Sequence, residues 1–467
     1  MATQTLEANY LIVGSGAVGM IFADQMLTES NARMIIVDRR AMPGGHWNDS
    51  YPFVRLHQPS AYYGAGSRAL GVNRIDDSGL NKGYYEQASG AEVRAYFEAL
   101  MRERFLPSGR IQYLPMSEYV GGDQIKSRIS GETTGVRVGK IVDTTFFNTE
   151  VPATHTRSFG VAEDVALTAP HLLARDVGRH GHYCIVGAGK TAMDVGVWLL
   201  QMGADPASIR WIAPRDSWLI NREITQPGDD FYASNFGGLA LQLEAAAEAS
   251  SVRDLFARLE QAGQLLRIDR DVAPTMYRGA TMSVAEVEVL RQIKDVVRRG
   301  RVRAITGSHI ELDEATIDAK PNTLYIDCSA RALGERAPKP VFDGNVITLQ
   351  LVRAQLVSIS AALIAHVEAN YEGDGEKNDL CRPIPPASSD IDWLRTMLAD
   401  LRAARRWSMD KPLRKWVADH RLSGFGSRGA GHPDAKNINA CIRAARPLAE
   451  ANLARLLSER DASAFQA

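Results

Sequence analysis

The sequence has few cysteines, and none of them forms a closely spaced pair. The four cysteines, Cys184, Cys328, Cys381 and Cys441, are scattered through a chain of 467 residues. A zinc ribbon or a dithiol redox centre needs two cysteines a few residues apart, so neither kind of site is indicated. We therefore expect no metal site and reduced thiols in a cytoplasmic protein.

A long apolar run and an excess of charge of one sign are also missing. No stretch approaches the ~18 continuous apolar residues of a membrane span, and the first residues lack the basic and apolar regions of a signal peptide. The 54 basic and 55 acidic residues give a net charge of -1, which argues against a protein that coats nucleic acid or binds membranes through basic residues. The length predicts about three domains. The sequence leaves open whether the chain forms a homo-oligomer.

What the sequence does contain is a strand, a glycine-rich turn, a helix and a second strand, in that order and twice. The turn of the first copy consists of Gly14, Ser15, Gly16, Ala17, Val18 and Gly19. Gly14 permits the tight turn, Gly16 lets the backbone approach a pyrophosphate, and Gly19 lets the helix pack on the strand. Asp38, followed by Arg39, ends the next strand, where a carboxylate can accept hydrogen bonds from a ribose. This copy therefore predicts a dinucleotide-binding unit.

The second copy carries Gly187, Gly189, Lys190 and Thr191 in its turn. A P-loop would need a further glycine at position 184, where the chain has a cysteine, so the dinucleotide fold is preferred. The next strand lacks a terminal acid and runs into Arg215 and then Arg222. A cation in place of the carboxylate suits a 2′-phosphate and hence NADPH. We rank Arg215 first, Arg222 second and Lys190 third for that role.

Residues 40–90, which follow the first copy, are rich in Gly, Pro, Tyr and His and have little helical periodicity. We expect irregular structure that lies over a ligand. Gly45 allows close backbone approach to a phosphate or flavin. His46 and Trp47 follow it, and Trp47 supplies a flat apolar wall.

These motifs together resemble the class B flavin-dependent monooxygenases, which include flavin-containing, Baeyer–Villiger and N-hydroxylating enzymes. The resemblance implies an α/β protein with two Rossmann-like dinucleotide-binding domains, FAD on the first and NADPH on the second. It implies that NADPH reduces the flavin and that molecular oxygen then forms a flavin C4a-(hydro)peroxide, which oxygenates a small organic substrate. The cofactor supplies this chemistry, and the protein positions and shields it.

The resemblance also suggests residues near the flavin. His57, Gln58 and Ser60 are candidate catalytic donors to the flavin or the peroxide, and His57 and Gln58 are candidate cofactor-binding residues as well. Gln350, with Arg353, precedes a helix whose N-terminus would face the flavin pyrimidine. Family members carry a fingerprint of the form FxGxxxHxxxW before the NADPH domain.

In this chain, His155 and an aromatic residue four positions later match the fingerprint, but Val151 stands where it has glycine. His155 is therefore either the fingerprint histidine or a plain linker residue.

We expect the NADPH domain to be inserted in the FAD domain, followed by a helical C-terminal extension. The predicted limits are residues 1–165 for the first part of the FAD domain, 166–322 for the NADPH domain with a helical insertion, 323–385 for the return to the FAD domain, and 386–467 for the extension. Two other functions stay open: an FAD-dependent NAD(P)H reductase or dehydrogenase without productive oxygenation, and a non-catalytic nucleotide-binding sensor or interaction protein. The substrate stays open as well.

Overall fold

This computed structural model describes residues 5–331, 334, 336–423 and 431–464. Most of the glycine-rich break that the sequence predicts at 423–433 lies outside the described residues. Within them, no helix has both the length and the apolar character needed to cross a membrane.

The strands are short and are distributed along most of the chain. In the described residues they are β1 (Leu6–Val13), β2 (Met34–Asp38), β3 (Ile111–Pro115), β4 (Ser117–Gly121), β5 (Gln124–Ser127), β6 (Thr133–Asp143), β7 (Gly160–Val161), β8 (Leu167–Thr168), β9 (His182–Val186), β10 (Ile209–Ile212), β11 (Ser217–Asn221), β12 (Leu265–Leu266), β13 (Met276–Met282), β14 (Asp295–Val297), β15 (Val302–Ile305), β16 (His309–Leu312), β17 (Thr316–Asp318), β18 (Thr323–Asp327), β19 (Phe342–Asp343) and β20 (Val346–Thr348).

The helices alternate with the strands at first and dominate the last part of the chain. They are α1 (Ala17–Glu29), α2 (Gly90–Leu100), α3 (Leu173–Asp176), α4 (Lys190–Gln201), α5 (Tyr232–Glu248), α6 (Val252–Gln261), α7 (Val284–Leu290), α8 (Val357–Asn370), α9 (Asp374–Leu380), α10 (Asp390–Met409), α11 (Lys411–Asp419) and α12 (Ala435–Ala464).

The first sheet has the strand order β19-β20-β6-β1-β2-β3, with β4 and β5 attached through β6. Strands β20, β6, β1, β2 and β3 run parallel, and α1 connects β1 to β2. Leu11 and Ile12 of β1 are fully buried, because layers on both faces of a parallel sheet exclude water. Helix α8 packs against α1. This is the first dinucleotide-binding fold that the glycine turn at 14–19 predicts.

The second sheet has the order β14-β10-β9-β18-β8, and all of its strands run parallel. It contains the second glycine turn, between β9 and α4. The prediction of an α/β protein with two Rossmann-like units is therefore confirmed.

One predicted boundary is wrong. The strand at Thr323–Asp327, expected to begin the return to the first sheet, pairs with β9 in the second sheet. The chain returns to the first sheet at β20, which pairs with β6. An apolar strand of this kind fits either sheet, because the choice depends on pairing between residues far apart in the chain.

The C-terminal extension is helical, as predicted, and it packs together with the helical insertion of the second unit. Helix α12 lies along α5, and α10 contacts α12 and α6. Leu243, Leu255, Leu394 and Leu453 come from these four helices, share one hydrophobic core and are fully buried. The two predicted helical regions therefore form one helical layer.

Candidate functional site

The first glycine turn has a backbone geometry that leaves no room for a Cβ atom at positions 14 and 19. Gly14 has φ of +111°, and its N–H donates to the carbonyl oxygen of Val37 at 2.8 Å. A Cβ at position 14 would lie 2.4 Å from Thr144 Oγ1, and a Cβ at position 19 would lie 2.2 Å from the carbonyl oxygen of Gly14. The glycines therefore allow a tight turn of three residues between the end of β1 and the start of α1.

A second glycine segment packs backbone to backbone on this turn. A Cβ at Gly45 would lie 2.8 Å from the Cα atom of Gly16, and the Gly44 N–H donates to the carbonyl oxygen of Ser15 at 2.9 Å. Gly16 is the N-cap of α1 and provides no side-chain cap. The first N–H groups of α1 are thus available to an anion, and the segment with His46 and Trp47 begins beside them.

Asp38 is buried at the end of β2 and is already well occupied. Its Oδ2 accepts from the Ser15 N–H at 2.6 Å and the Ser15 hydroxyl at 2.8 Å, and its Oδ1 accepts from the Arg40 N–H at 2.8 Å. A carboxylate has about four lone-pair positions, so about one remains for a ribose hydroxyl. The neighbouring Arg39 is exposed, and its carbonyl oxygen accepts from Arg128.

A cavity of 460 Å³, here called the main cavity, lies where the two units meet. Its walls come from the segment after Gly45, from the residues before β7, from α4 and the helical insertion, and from the segment before α8. The lining residues used below are His46, Trp47, Tyr51, His57, Gln58, Tyr62, Tyr63, Val151, Thr191, Asn235, Thr281 and Gln355.

Tyr51 connects the two units at this cavity. Its hydroxyl donates to Asp194 Oδ2 on α4 at 2.6 Å, and Asp194 also pairs with Lys190. Burial raises the pKa of Tyr51 well above its usual value, and the charge of Asp194 adds to the effect. The phenol therefore stays protonated and acts as a hydrogen-bond donor.

The three predicted catalytic residues separate into two groups. His57 and Gln58 line the main cavity. Burial lowers the pKa of His57 to about 3, so its imidazole is neutral at physiological pH. Ser60 is 1% exposed; its hydroxyl donates to the carbonyl oxygen of Glu86 at 3.0 Å and accepts from the Ala88 N–H at 2.8 Å. Ser60 therefore orders the loop and does not line the cavity.

His46 and Trp47 also lie where the sequence predicts, at the wall that begins with Gly45. The His46 ring stacks on Trp47 with 5.4 Å between centroids, and burial lowers the pKa of His46 to about 4. Trp47 Nε1 donates to the Tyr63 hydroxyl at 2.8 Å. This wall is accordingly uncharged, flat and aromatic.

A second, smaller cavity of 160 Å³ lies at the second glycine turn. Gly187 has φ of +132°, and a Cβ there would lie 2.5 Å from the carbonyl oxygen of Cys328. Gly189 is the N-cap of α4 without a side-chain cap. Among the described residues, no acidic side chain lines this cavity, whereas four arginines do. These are Arg215, Arg278, Arg301 and Arg331, and we call the space the arginine cavity.

The other predicted NADPH residues lie elsewhere. Thr191 lines the main cavity. Lys190 and Arg222 line a third cavity of 540 Å³ on the far side of α4. Arg222 is 1% exposed and pairs with Glu286 Oε2 at 2.6 Å, so its charge is already compensated. Nearness in sequence to Arg215 does not place it in the arginine cavity, because β11 carries the chain away from β10.

Gln350 and Arg353 do not reach the main cavity. Gln350 Nε2 donates to the Lys339 carbonyl oxygen at 2.8 Å, and its Oε1 accepts from the Lys339 N–H at 3.2 Å. Arg353 pairs with Asp400 Oδ2 at 2.9 Å. The next residues, 354–356, do line the cavity. The predicted segment thus reaches the site one to four residues later than expected.

The segment with the candidate fingerprint histidine spans the distance between two cavities. Residues 149–152 line the main cavity and residues 158–159 line the arginine cavity. Between them, His155 Nε2 lies 3.3 Å from Asp327 Oδ2, and both side chains are nearly buried. Asp327 ends β18 and also accepts from the Ser329 hydroxyl at 2.6 Å. This contact favours a defined structural role for His155 over a plain linker.

Several lining residues carry no signal in the sequence. Asn235 Nδ2 lies 3.4 Å from the Tyr62 hydroxyl and donates to the carbonyl oxygen of Gln226 at 2.7 Å. Thr281 and Gln355 come from β13 and from the segment before α8. Neither pattern nor motif marks them, because the fold alone brings them to the cavity.

In the described part of the chain, no group of three or more His, Cys, Asp or Glu side chains could hold a metal ion.

Comparisons with known proteins show one strong similarity and several weak ones. No family model matches the chain. The uncharacterized protein Rv2000 of Mycobacterium tuberculosis is 47% identical over 420 residues, which are 90% of this chain and 78% of that protein. The uncharacterized protein Mb2023 of Mycobacterium bovis has the same identity and coverage.

Among solved structures, cyclohexanone monooxygenase is 11% identical, with 81% of this chain and 92% of that chain covered and a TM-score of 0.48. A flavin-containing monooxygenase from Stenotrophomonas maltophilia is 14% identical, with 81% and 100% covered and a TM-score of 0.45.

Proposed function

The chain belongs to the same family as these mycobacterial proteins, and we propose that it is an FAD- and NADPH-dependent monooxygenase that oxygenates a small organic substrate. One observation carries the proposal: residues of both dinucleotide-binding units line one cavity. Trp47 and Tyr51 of the first unit and Thr191 of the second all face this space. A hydride donor on one unit and an acceptor on the other can meet only in such a shared cavity.

The first glycine turn fits FAD. The uncapped N-terminus of α1 and the close approach of Gly16 to Gly45 form a backbone surface that suits a pyrophosphate. Asp38 keeps about one acceptor position for a ribose hydroxyl. When bound, FAD supplies electron transfer between the nicotinamide and oxygen.

The arginine cavity fits the 2′-phosphate end of NADPH. Four arginines line it, and a guanidinium binds phosphate oxygens in a bidentate manner. Arg215 makes no ion pair within the described part of the chain. The pyrophosphate of NADPH would lie at the uncapped N-terminus of α4, beside Gly189.

The protein's own residues in the main cavity bind, orient and exclude water. Trp47 and Tyr63 form a rigid aromatic wall through their hydrogen bond. The neutral His57 and the Gln58 amide offer polar contacts without a charge. The cavity lining also includes the charged residues Arg55 and Glu150, so exclusion of water depends on the aromatic wall.

One feature favours the reductase alternative. Val151, which replaces the fingerprint glycine, lines the main cavity itself, so the departure from the motif lies where oxygenation would occur.

No cysteine lines the main cavity among the described residues, which leaves the cavity no thiol for disulfide reduction.

A rapid-mixing experiment tests the proposal. The purified protein is reduced anaerobically with NADPH and then mixed with oxygen, while flavin absorbance and hydrogen peroxide are measured. A monooxygenase gives a transient absorbance before the oxidised flavin spectrum returns, and it releases less peroxide than NADPH consumed when a substrate is turned over. Immediate return of the oxidised spectrum, with one peroxide per NADPH for every compound tried, supports the reductase instead. A protein that is colourless and takes up no FAD fits only the sensor.

A further inference from the structure

A loop of the first unit, residues 61–68, forms one wall of the main cavity. Tyr62 and Tyr63 of this loop line the cavity. Tyr63 accepts the hydrogen bond of Trp47, so a shift of the loop also moves the aromatic wall beside Gly45. The position of the loop therefore affects the shape of this side of the cavity.

One side chain of the C-terminal extension holds the backbone of this loop. The guanidinium of Arg421 donates to the carbonyl oxygens of Ala61 at 3.0 Å, Tyr63 at 3.2 Å, Ala65 at 3.0 Å and Arg68 at 2.7 Å. Four carbonyl groups spread over eight residues thus converge on a single planar group. These hydrogen bonds therefore tie the two ends and the middle of the loop to one side chain.

The loop leaves room for the C-terminal extension by means of a glycine. A Cβ at Gly66 would lie 2.8 Å from Nε2 of His420, the residue that precedes Arg421. Asp24 of α1 and Tyr96 of α2 hold the other side of the loop, through Ser67 and through the Ala65 N–H at 2.8 Å. The loop is accordingly clamped between its own unit and the extension.

Only a guanidinium suits this position. Carbonyl oxygens accept but do not donate, so the group between them must bring several N–H donors in fixed directions. An arginine has five in one plane, whereas a lysine ammonium is a compact point charge with three. Burial lowers the pKa of Arg421, and the nearby charge of Asp24 and a hydrogen bond to Tyr96 act against this effect, so the charge of the guanidinium is partly balanced.

We propose that Arg421 is a positioning residue for the main cavity, through which the C-terminal extension sets the wall formed by Tyr62 and Tyr63. The kinetic part of this role rests on the proposed function, but the structural part does not. Since the arginine cavity lies at the other unit, loss of Arg421 should alter turnover in the main cavity and leave NADPH affinity unchanged.

Hydrogen exchange measured by mass spectrometry on the full-length protein tests the structural part. We expect peptides that cover residues 61–68 to exchange about tenfold faster in Arg421→Ala and in Arg421→Lys, because the loop loses several hydrogen bonds. Arg414→Ala is the matched control, an exposed arginine in the same extension that donates to Ser408. It should leave the loop unchanged. Gly66→Ala gives a second, independent perturbation of the same contact and should also speed exchange.

Chemical rescue and kinetics complete the test. Added methylguanidinium should restore slow exchange in Arg421→Ala but not in Gly66→Ala. In the flavin-loaded protein, Arg421→Ala should increase the peroxide released per NADPH and leave the KM for NADPH within twofold. The proposal is overturned if exchange at residues 61–68 stays at the wild-type rate in Arg421→Ala. It is also overturned if Arg421→Lys keeps the slow exchange of the wild type. Faster exchange in a protein that never oxygenates any substrate leaves the positioning role standing and contradicts only the proposed function.

Discussion

The position of Arg215 in the arginine cavity predicts how much its loss should weaken the binding of NADPH. This side chain is exposed, stands three residues after β10, and makes no ion pair within the described part of the chain. A hydrogen bond to a charged group contributes ~1.5–3 kcal/mol, and exposure to solvent brings the value towards the lower limit. Because 1.4 kcal/mol is a factor of ten, Arg215→Ala should weaken NADPH binding about tenfold. NADH, which lacks the 2′-phosphate, should change by less than about twofold.

The assay is a titration of the purified protein with NADPH and with NADH, followed by the fluorescence of the reduced nicotinamide. Arg175→Ala is the control, since it removes an exposed arginine of the same unit, on α3, that lines neither cavity. The wild-type affinity for NADPH should also fall with added salt more than that for NADH, and this difference should shrink in Arg215→Ala. Equal losses for NADPH and NADH would refute the assignment of the 2′-phosphate to this cavity.

Three further predictions concern the first turn, a buried ion pair and a histidine of the main cavity. Gly14→Ala places a Cβ 2.4 Å from Thr144 Oγ1 at a φ of +111°, so the purified variant should lose its flavin; an unchanged ratio of absorbance at the flavin and protein bands would contradict this. Glu286→Gln leaves the buried Arg222 guanidinium without its counter-ion and should lower the free energy of unfolding in urea by about 3–5 kcal/mol, a loss that Glu286→Gln combined with Arg222→Met should largely recover. Burial lowers the pKa of His57 to about 3, below the ~6.5 of an unfolded chain, so the unfolded state binds an extra proton between these values. Stability should therefore fall as the pH drops below about 6.5, by at most about 1.4 kcal/mol per pH unit from this group, and His57→Gln should flatten the slope; a slope equal to that of wild type would show that His57 is not the group.

The parts of the fold that local patterns determine were predictable from the sequence. A glycine turn between an apolar strand and a helix is complete within about thirty residues, so 14–38 and 187–212 could be assigned without knowledge of the rest. The strand Thr323–Asp327 could not, because its apolar residues satisfy either parallel sheet and only its pairing with β9 decides between them. The joining of α12 with α5 is equally non-local.

In the candidate site, too, positions set by local patterns were predictable from the sequence, and positions set by contacts between distant residues were not. Arg215 comes three residues after β10 and lines the cavity at the second glycine turn. Arg222 is seven residues further along, and one intervening strand is enough to bury it against Glu286. Ser60 shows a different limit: its hydroxyl has backbone partners at Glu86 and Ala88 that sequence reasoning has no means of identifying.

The irregular segment at 40–90 explains how the main cavity keeps its shape. It was predicted to cover a ligand, and part of it does line the cavity, but it also provides the contacts that join the two units. Tyr51 donates to Asp194, and the Phe53 ring stacks on Trp198 with 4.8 Å between centroids. The Tyr85 N–H donates to Gln226 Oε1 at 2.9 Å.

Each of these partners belongs to the second unit, on α4 or after β11. A regular helix or strand would present one repeating face, whereas contacts with two separate elements, α4 and the segment after β11, require a chain that changes direction between them. The absence of periodicity in this segment is therefore a consequence of its task, because the residues that line the cavity and the residues that join the units alternate without a fixed spacing. A change in any of the three contacts should consequently alter the shape of the main cavity more than the geometry of either glycine turn.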